Sequence, residues 1–275
     1  MDALRRIDEW PAEHAAAGAA RAGAVLATAG DVEHEFAWAS VSKVFTAYAT
    51  LVAVEEGTVA LDDAAGPAGS TIRHLLAHAS GLGPDGEELS PPERTRIYSN
   101  GAFDLLATVV GERAGMPFAD YLAAAVLQPL GLAAELRGSP ASGLAGTLGD
   151  LLAFGRELLE PTLIDPQTLA EATTVQFPGL KGVLPGYGRM EPNDWGLGIE
   201  LRDAKQPHWT GSRNSPATFG HFGSKAGSAT FLWVDPEAAL ACAGLADVDF
   251  GDWARESWPP LADAVLSEGR RATGG

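Results

Sequence analysis

β-Compatible segments occur near both ends of this chain, while residues 59–189 carry helical periods and long loops instead. A strand cannot satisfy its backbone N–H and C=O groups alone, and the two ends together are expected to build one sheet. The pattern predicts an α/β (α+β) architecture, with one antiparallel sheet from the N- and C-terminal segments, flanked by helices, plus a helical lobe. One domain over residues 1–275 is expected, with its sheet part at about 1–58 and 190–275 and its lobe at about 59–189. A cleft between the two parts is the natural place for a ligand.

Residues 3–18 read as helical with Pro11 interrupting, and the Ala-rich stretch that follows reads as a helix end running into a strand. Strands are expected over 22–29 and 33–39, joined by a turn at Ala29-Gly30-Asp31. A helix over 40–56 ends at Gly57, and Ser70 or Thr71 caps a short helix running to Ala77. Helical periods follow over 100–114, 118–127 and 148–159, then short strands over 198–202, 218–222, 229–234 and 240–245. A last helix is expected over 252–267.

Charge excludes whole classes of partner. With 36 acidic against 19 basic side chains the net charge is −17. Nucleic-acid binding needs clustered Lys and Arg, and anionic membranes need the same, so neither is expected. Cys242 is the only cysteine, so no intrachain disulfide forms. The first ten residues are charged and no apolar signal-peptide core follows, nor does any run approach a membrane span. A cytoplasmic protein is the expectation.

Three short motifs carry possible chemistry. Ser40 and Lys43 stand three apart, which on a helix puts them on one face. A desolvated lysine amine can take the proton of a serine hydroxyl and make it a nucleophile. With 14 serines and 4 lysines in the chain, a chance Ser-x-x-Lys arises about 0.2 times, so the motif alone is weak and Ser40 can equally be an N-cap. Tyr98 and Asn100 flank Ser99 just before a helix, where Asn100 can be a cap or a cleft residue. His221-Phe222-Gly223-Ser224 lies on or beside a strand, and its glycine would let a substrate backbone approach closely.

In this order the three motifs resemble those of the serine hydrolases related to class C β-lactamases and penicillin-binding DD-peptidases. The flanks add to the likeness: His74-Leu75-Leu76-Ala77-His78-Ala79-Ser80-Gly81-Leu82, Leu127-Gln128-Pro129-Leu130-Gly131-Leu132 and Trp233-Val234-Asp235-Pro236. The resemblance implies Ser40 as acylated nucleophile, Lys43 as its base, Tyr98 as proton shuttle and Asn100 as orienting group. The backbone N–H groups of Ser40 and Ser224 would form the oxyanion hole, beside His221 and Gly223. The family commonly has Lys-Thr-Gly where this chain has His221-Phe222-Gly223. That exchange removes a permanent charge and a hydroxyl, and so favours a small neutral ester or amide over an anionic β-lactam or peptide. It also leaves desolvation to bring Lys43 down to a useful pKa, which predicts an alkaline optimum. Arg213 and Lys225 lie near this motif and can still recruit a carboxylate, while Phe222, Trp195 and Trp209 are candidate pocket walls.

Other readings remain. β-Lactamase or D-amino-acid peptidase activity is the alternative within the family, and a catalytically silent ligand-binding protein is the alternative outside it. His74 and His78 have i, i+4 spacing, but the residue after the first is Leu75 rather than the glutamate of a metalloprotease helix. No metal or cofactor is expected, and no Gly-x-Ser-x-Gly elbow or phosphate-binding glycine loop occurs. Trp38 and Cys242 read as packing residues.

Overall fold

The computed structural model describes residues 1–271. A 3₁₀ helix over Asp2–Glu9 comes first, and then the alanine run forms strand β1 (Ala15–Arg21) rather than the expected helix end. The helix preference of alanine is worth well under ~1 kcal/mol per residue, which tertiary packing readily overrides. Here β1 is covered on both faces, with Ala16 and Ala20 in one apolar cluster and Ala17 and Ala19 in the other. Small side chains are needed there: a Cβ on Gly18 would stand 2.6 Å from Leu152 Cδ1.

β2 (Ala24–Gly30) follows, and the strand expected over 33–39 shrinks to β3 (Phe36–Ala37). After a 3₁₀ turn at Ala39–Val41 come α1 (Ser42–Glu55), α2 (Ile72–Leu76) and α3 (Asn100–Ala114). Next are α4 (Phe118–Leu122), which continues as a π-helical turn over Ala123–Leu127, then β4 (Glu135–Leu136) and β5 (Leu144–Gly146). α5 (Leu148–Leu159) and α6 (Pro166–Ala172) precede a hairpin of β6 (Gly182–Leu184) and β7 (Gly188–Met190). The chain closes with β8 (Glu200–Leu201), β9 (Phe219–Lys225), β10 (Ser228–Asp235), β11 (Leu240–Ala246) and α7 (Asp252–Arg271).

The main sheet has six strands in the order β2-β1-β11-β10-β9-β8, each antiparallel to its neighbour. β1 thus pairs with the far end of the chain, Ala15 opposite Ala246. Side chains alternate across the sheet. Leu232, Ala243 and Leu245 meet Leu148, Leu151 and Leu152 of α5 on one face, while Phe231, Trp233 and Cys242 meet Trp258, Leu261 and Leu266 of α7 on the other. Cys242 is buried, as a small apolar residue would be. Among the described residues no helix is long and apolar enough to cross a membrane.

Candidate active site

β3 leads directly into the residues that matter. Ala39 has a φ of 43°, a left-handed conformation that a side chain disfavours and that structures tend to hold at functional positions. It turns the chain so that Ser40 sits partly exposed in the 3₁₀ turn, one turn ahead of Lys43 in α1. Two anchors fix this turn: the Trp38 indole donates to Gly146 O at 3.2 Å, and Ser42 Oγ accepts from Leu144 N at 3.0 Å.

Lys43 is fully buried. Its Nζ lies 2.6 Å from Asn100 Oδ1, 2.9 Å from Ala141 O and 3.4 Å from Ser40 Oγ, over the Tyr98 ring at 4.7 Å from the centroid. Burial lowers its pKa from 10.5 to about 7, with Asp104 pulling weakly the other way. A neutral amine has two N–H donors and one lone pair. Asn100 and Ala141 take the donors, so the lone pair is left for Ser40.

Ser99 caps α3 by accepting from Ala102 N at 2.9 Å, which leaves Asn100 free to meet Lys43. Tyr98, the other neighbour of that cap, lines the same cleft. Its hydroxyl lies 3.4 Å from His221 Nε2 on β9. His221 Nδ1 is 2.5 Å from the Phe222 carbonyl, which only accepts, so Nδ1 carries the proton and Nε2 is an acceptor. Burial, reinforced by Lys43, lowers the His221 pKa to about 4, and the ring is neutral at pH 7. Burial pushes the Tyr98 phenol well above its ordinary value, against a smaller downward pull from Ser40, so it acts as a protonated hydroxyl.

Gly223 brings β9 against the Ser40 turn. A Cβ there would stand 2.4 Å from Trp38 O and 3.0 Å from Ser40 N. The close approach expected of a substrate backbone is thus made by the protein's own backbone. It sets Ser224 beside Ser40 on one cleft of about 200 Å³, also lined by Asn100, Leu184, Pro185, Trp195 and Glu200.

Several expected pocket residues lie elsewhere. Arg213 is exposed, its guanidinium 2.7 Å from Ser267 Oγ and its backbone N–H on Asp263, both in α7. The loop before β9 runs along that helix, away from the cleft. Lys225 is exposed at the end of β9 and does not line the cleft. Trp209 is buried behind the wall, and Phe222 borders the cleft while its ring packs on Tyr187, Phe250 and Trp258. Only Trp195 of the two tryptophans lines it, its indole on Asn193 Oδ1 at 3.3 Å.

Glu200, which belongs to none of the three sequence motifs, also lines the cleft. It is buried in the cleft wall, with His208 Nε2 at 3.0 Å, Lys205 Nζ at 3.4 Å and Trp209 Nε1 at 2.5 Å. Burial opposes its ionisation, but the charges of His208 and Lys205 and two hydrogen bonds hold its pKa at about 2. Nothing in sequence spacing marks this cluster, since β8 and the loop after it meet only in the fold. His74 bonds Thr71 and Glu93, and His78 Nδ1 accepts from Ser99 N. No group of three or more potential ligands occurs among the described residues. The His78 ring instead underlies Tyr98, with centroids 4.7 Å apart.

This sheet, with its helices and its serine–lysine turn, is the fold of the serine hydrolases related to β-lactamases and penicillin-binding proteins. The Beta-lactamase family model matches residues 8–135 and 132–267, and the chain belongs to that family. It is similar to the crystal structure of a β-lactamase from Mycobacterium bovis, with 51% identity and a TM-score of 0.94 over 97% of this chain and 99% of that one. EstCE1, a hydrolase with promiscuous acyltransferase activity, shares the fold at 20% identity and a TM-score of 0.76, over 96% of this chain and 97% of that one. Penicillin-binding protein 4* of Bacillus subtilis (strain 168) is 30% identical over 35% of this chain, a match that spans only 29% of that protein.

Proposed function

We propose that the protein hydrolyses small neutral esters or amides through a covalent acyl-enzyme on Ser40. The observation that carries this reading is the buried Lys43 amine, with its donors engaged and Ser40 Oγ 3.4 Å away. Lys43 takes the Ser40 proton as Oγ attacks the acyl carbon, and the carbonyl electrons move to oxygen. The Ser40 and Ser224 N–H groups stabilise that oxyanion, where one donor is worth about 3–4 kcal/mol. As the bond to the leaving group breaks, the proton returns to it through Tyr98, and water then releases the acid. Before reaction the Tyr98 O–H faces the neutral His221 Nε2 at 3.4 Å, and it swings to the leaving group as Tyr98 takes the proton passed on from Lys43. Preference for neutral substrates rests on charge: among the described residues Glu200 is the only Asp, Glu, Lys or Arg lining the cleft, and Arg213 is tied to α7.

The likeness to the Mycobacterium bovis β-lactamase favours a second reading, β-lactam hydrolysis. One experiment separates them. A fluorophosphonate probe should add to the wild type and not to Ser40→Ala, by intact mass, and short-chain nitrophenyl esters should turn over faster than a chromogenic cephalosporin or D-alanyl amides. Faster cephalosporin turnover would establish the second reading, and absence of any adduct would leave a ligand-binding protein. Rate should climb as pH rises through about 7, as Lys43 loses its proton; a maximum below about pH 6.5 excludes Lys43 as base.

A further inference from the structure

A second hollow of about 430 Å³ opens beside the reactive cleft, on the Tyr98 side, and the two share Tyr98 and Pro185. Its walls are the segment before α3, with Arg96 and Ile97, and the hairpin residue Val183, closed at one end by Pro84. The Arg96 side chain is buried, with its two Nη atoms donating to the carbonyls of Ala77, Gln176 and Phe177 and its Nε without a partner. Val183 is the most exposed large apolar side chain among the described residues, at 59%. An isolated exposed valine needs no explanation, but one that walls an apolar hollow next to a nucleophile does.

The two walls are also fixed relative to each other. Thr95 Oγ1 and Arg96 N both donate to Lys181 O, at 2.7 and 2.9 Å. Arg96 forms a parallel bridge to Gly182, where a Cβ would stand 2.3 Å from Arg96 O. Side-chain binding energy is therefore not lost in assembling the hollow, which is a pre-formed site.

From this geometry we infer that the hollow holds an apolar, ring-sized leaving group of the substrate, such as the aryl part of an aryl ester. The inference rests on the acyl-enzyme reading given above. Tyr98 stands at the junction, and it is the group that hands the proton to the departing oxygen. When the acyl C–O bond breaks, its electron pair goes to that oxygen, and the oxygen takes the proton relayed by Tyr98. The hydrocarbon attached to it then lies against Ile97 and Val183. The acyl part stays in the smaller cleft of about 200 Å³, which suits a short chain.

The test uses Val183→Asp, an exposed substitution. Two ratios of kcat/KM are measured in wild type and variant: 2-naphthyl acetate over vinyl acetate, and nitrophenyl hexanoate over nitrophenyl acetate. The first should fall about tenfold in V183D, the lower range for a group's worth of apolar contact, and the second should hold. An unchanged first ratio overturns the inference, as does a second ratio that falls as far, since the hollow would then hold acyl chains. If the wild type turns over no ester, the functional reading fails separately. Free 2-naphthol, titrated by its own fluorescence, then probes the hollow directly. A Kd about tenfold weaker in V183D supports the inference, and equal or absent binding overturns it.

Discussion

Replacing Lys43 with methionine tests whether burial holds the amine near its titration point. The amine has a pKa of about 7 in the fold and 10.5 ordinarily. Between those values the unfolded chain binds a proton that the folded chain does not, so stability rises with pH across that window. The slope approaches about 1.4 kcal/mol per pH unit for one proton. Allowing for half-titration at the lower end, the Lys43 contribution grows by about 2 kcal/mol from pH 7 to 9. Below about 7 both states hold the proton, and the contribution is flat. Methionine has a similar stem and no titratable group, so this pH dependence should vanish. Absolute stability is a poor readout, because Asn100 Oδ1 and Ala141 O lose their donor, at about 1–3 kcal/mol each. The slope is free of that ambiguity. Urea unfolding at pH 7, 8 and 9 should therefore give wild type a steeper rise than K43M. The histidines with lowered pKa, His208 and His221, titrate below the window, and groups near its top cancel in the difference. Parallel lines for the two proteins would refute a neutral Lys43 and, with it, its role as base.

Gly223→Ala should abolish the proposed ester hydrolysis and lower stability by about 1–3 kcal/mol, because its Cβ meets Trp38 O at 2.4 Å and forces β9 off the Ser40 turn. Chemical denaturation and ester turnover measure both effects, and an active, equally stable variant would contradict the close approach. His221→Lys places a cation beside Lys43 and favours the neutral amine, so the rising limb of the pH–rate profile should move to lower pH by about one unit. A profile that stays put or moves up would show that the two groups do not interact.

The elements legible in the sequence are those with local punctuation. Asn100–Ala114 and Leu148–Leu159 match their expected bounds, the first stopped by Gly115 at φ 70° and the second started by a Thr147–Asp150 capping box. β1 departs from its expected helix end because its alanines fit between distant α5 on one face and the preceding 3₁₀ helix, with Leu4 and Ile7, on the other, while its pairing partner β11 lies more than 200 residues on. The same division runs through the cleft. Ser40, Lys43, Tyr98, Asn100 and His221 lie in one cluster of side chains. Proximity in sequence to His221 misled for Arg213 and Trp209, since a loop's nearness in number says nothing of the direction in which it leaves the sheet. The buried Glu200–Lys205–His208 cluster carries no spacing signature, and only packing creates it.

The pairing of Ala15 with Ala246 has a consequence for synthesis. A ribosome adds about 5–20 residues per second, so β1 emerges on the order of 10–50 s before its central partner exists. During that wait β1 and β2 make at most a hairpin, and a two-stranded hairpin is marginal in water. An alanine-rich strand with little to aggregate through is well suited to the delay. Ser40 emerges early as well, but the turn that presents it leans on Gly223. A nascent chain therefore carries Ser40 in an unsupported turn until β9 has been made.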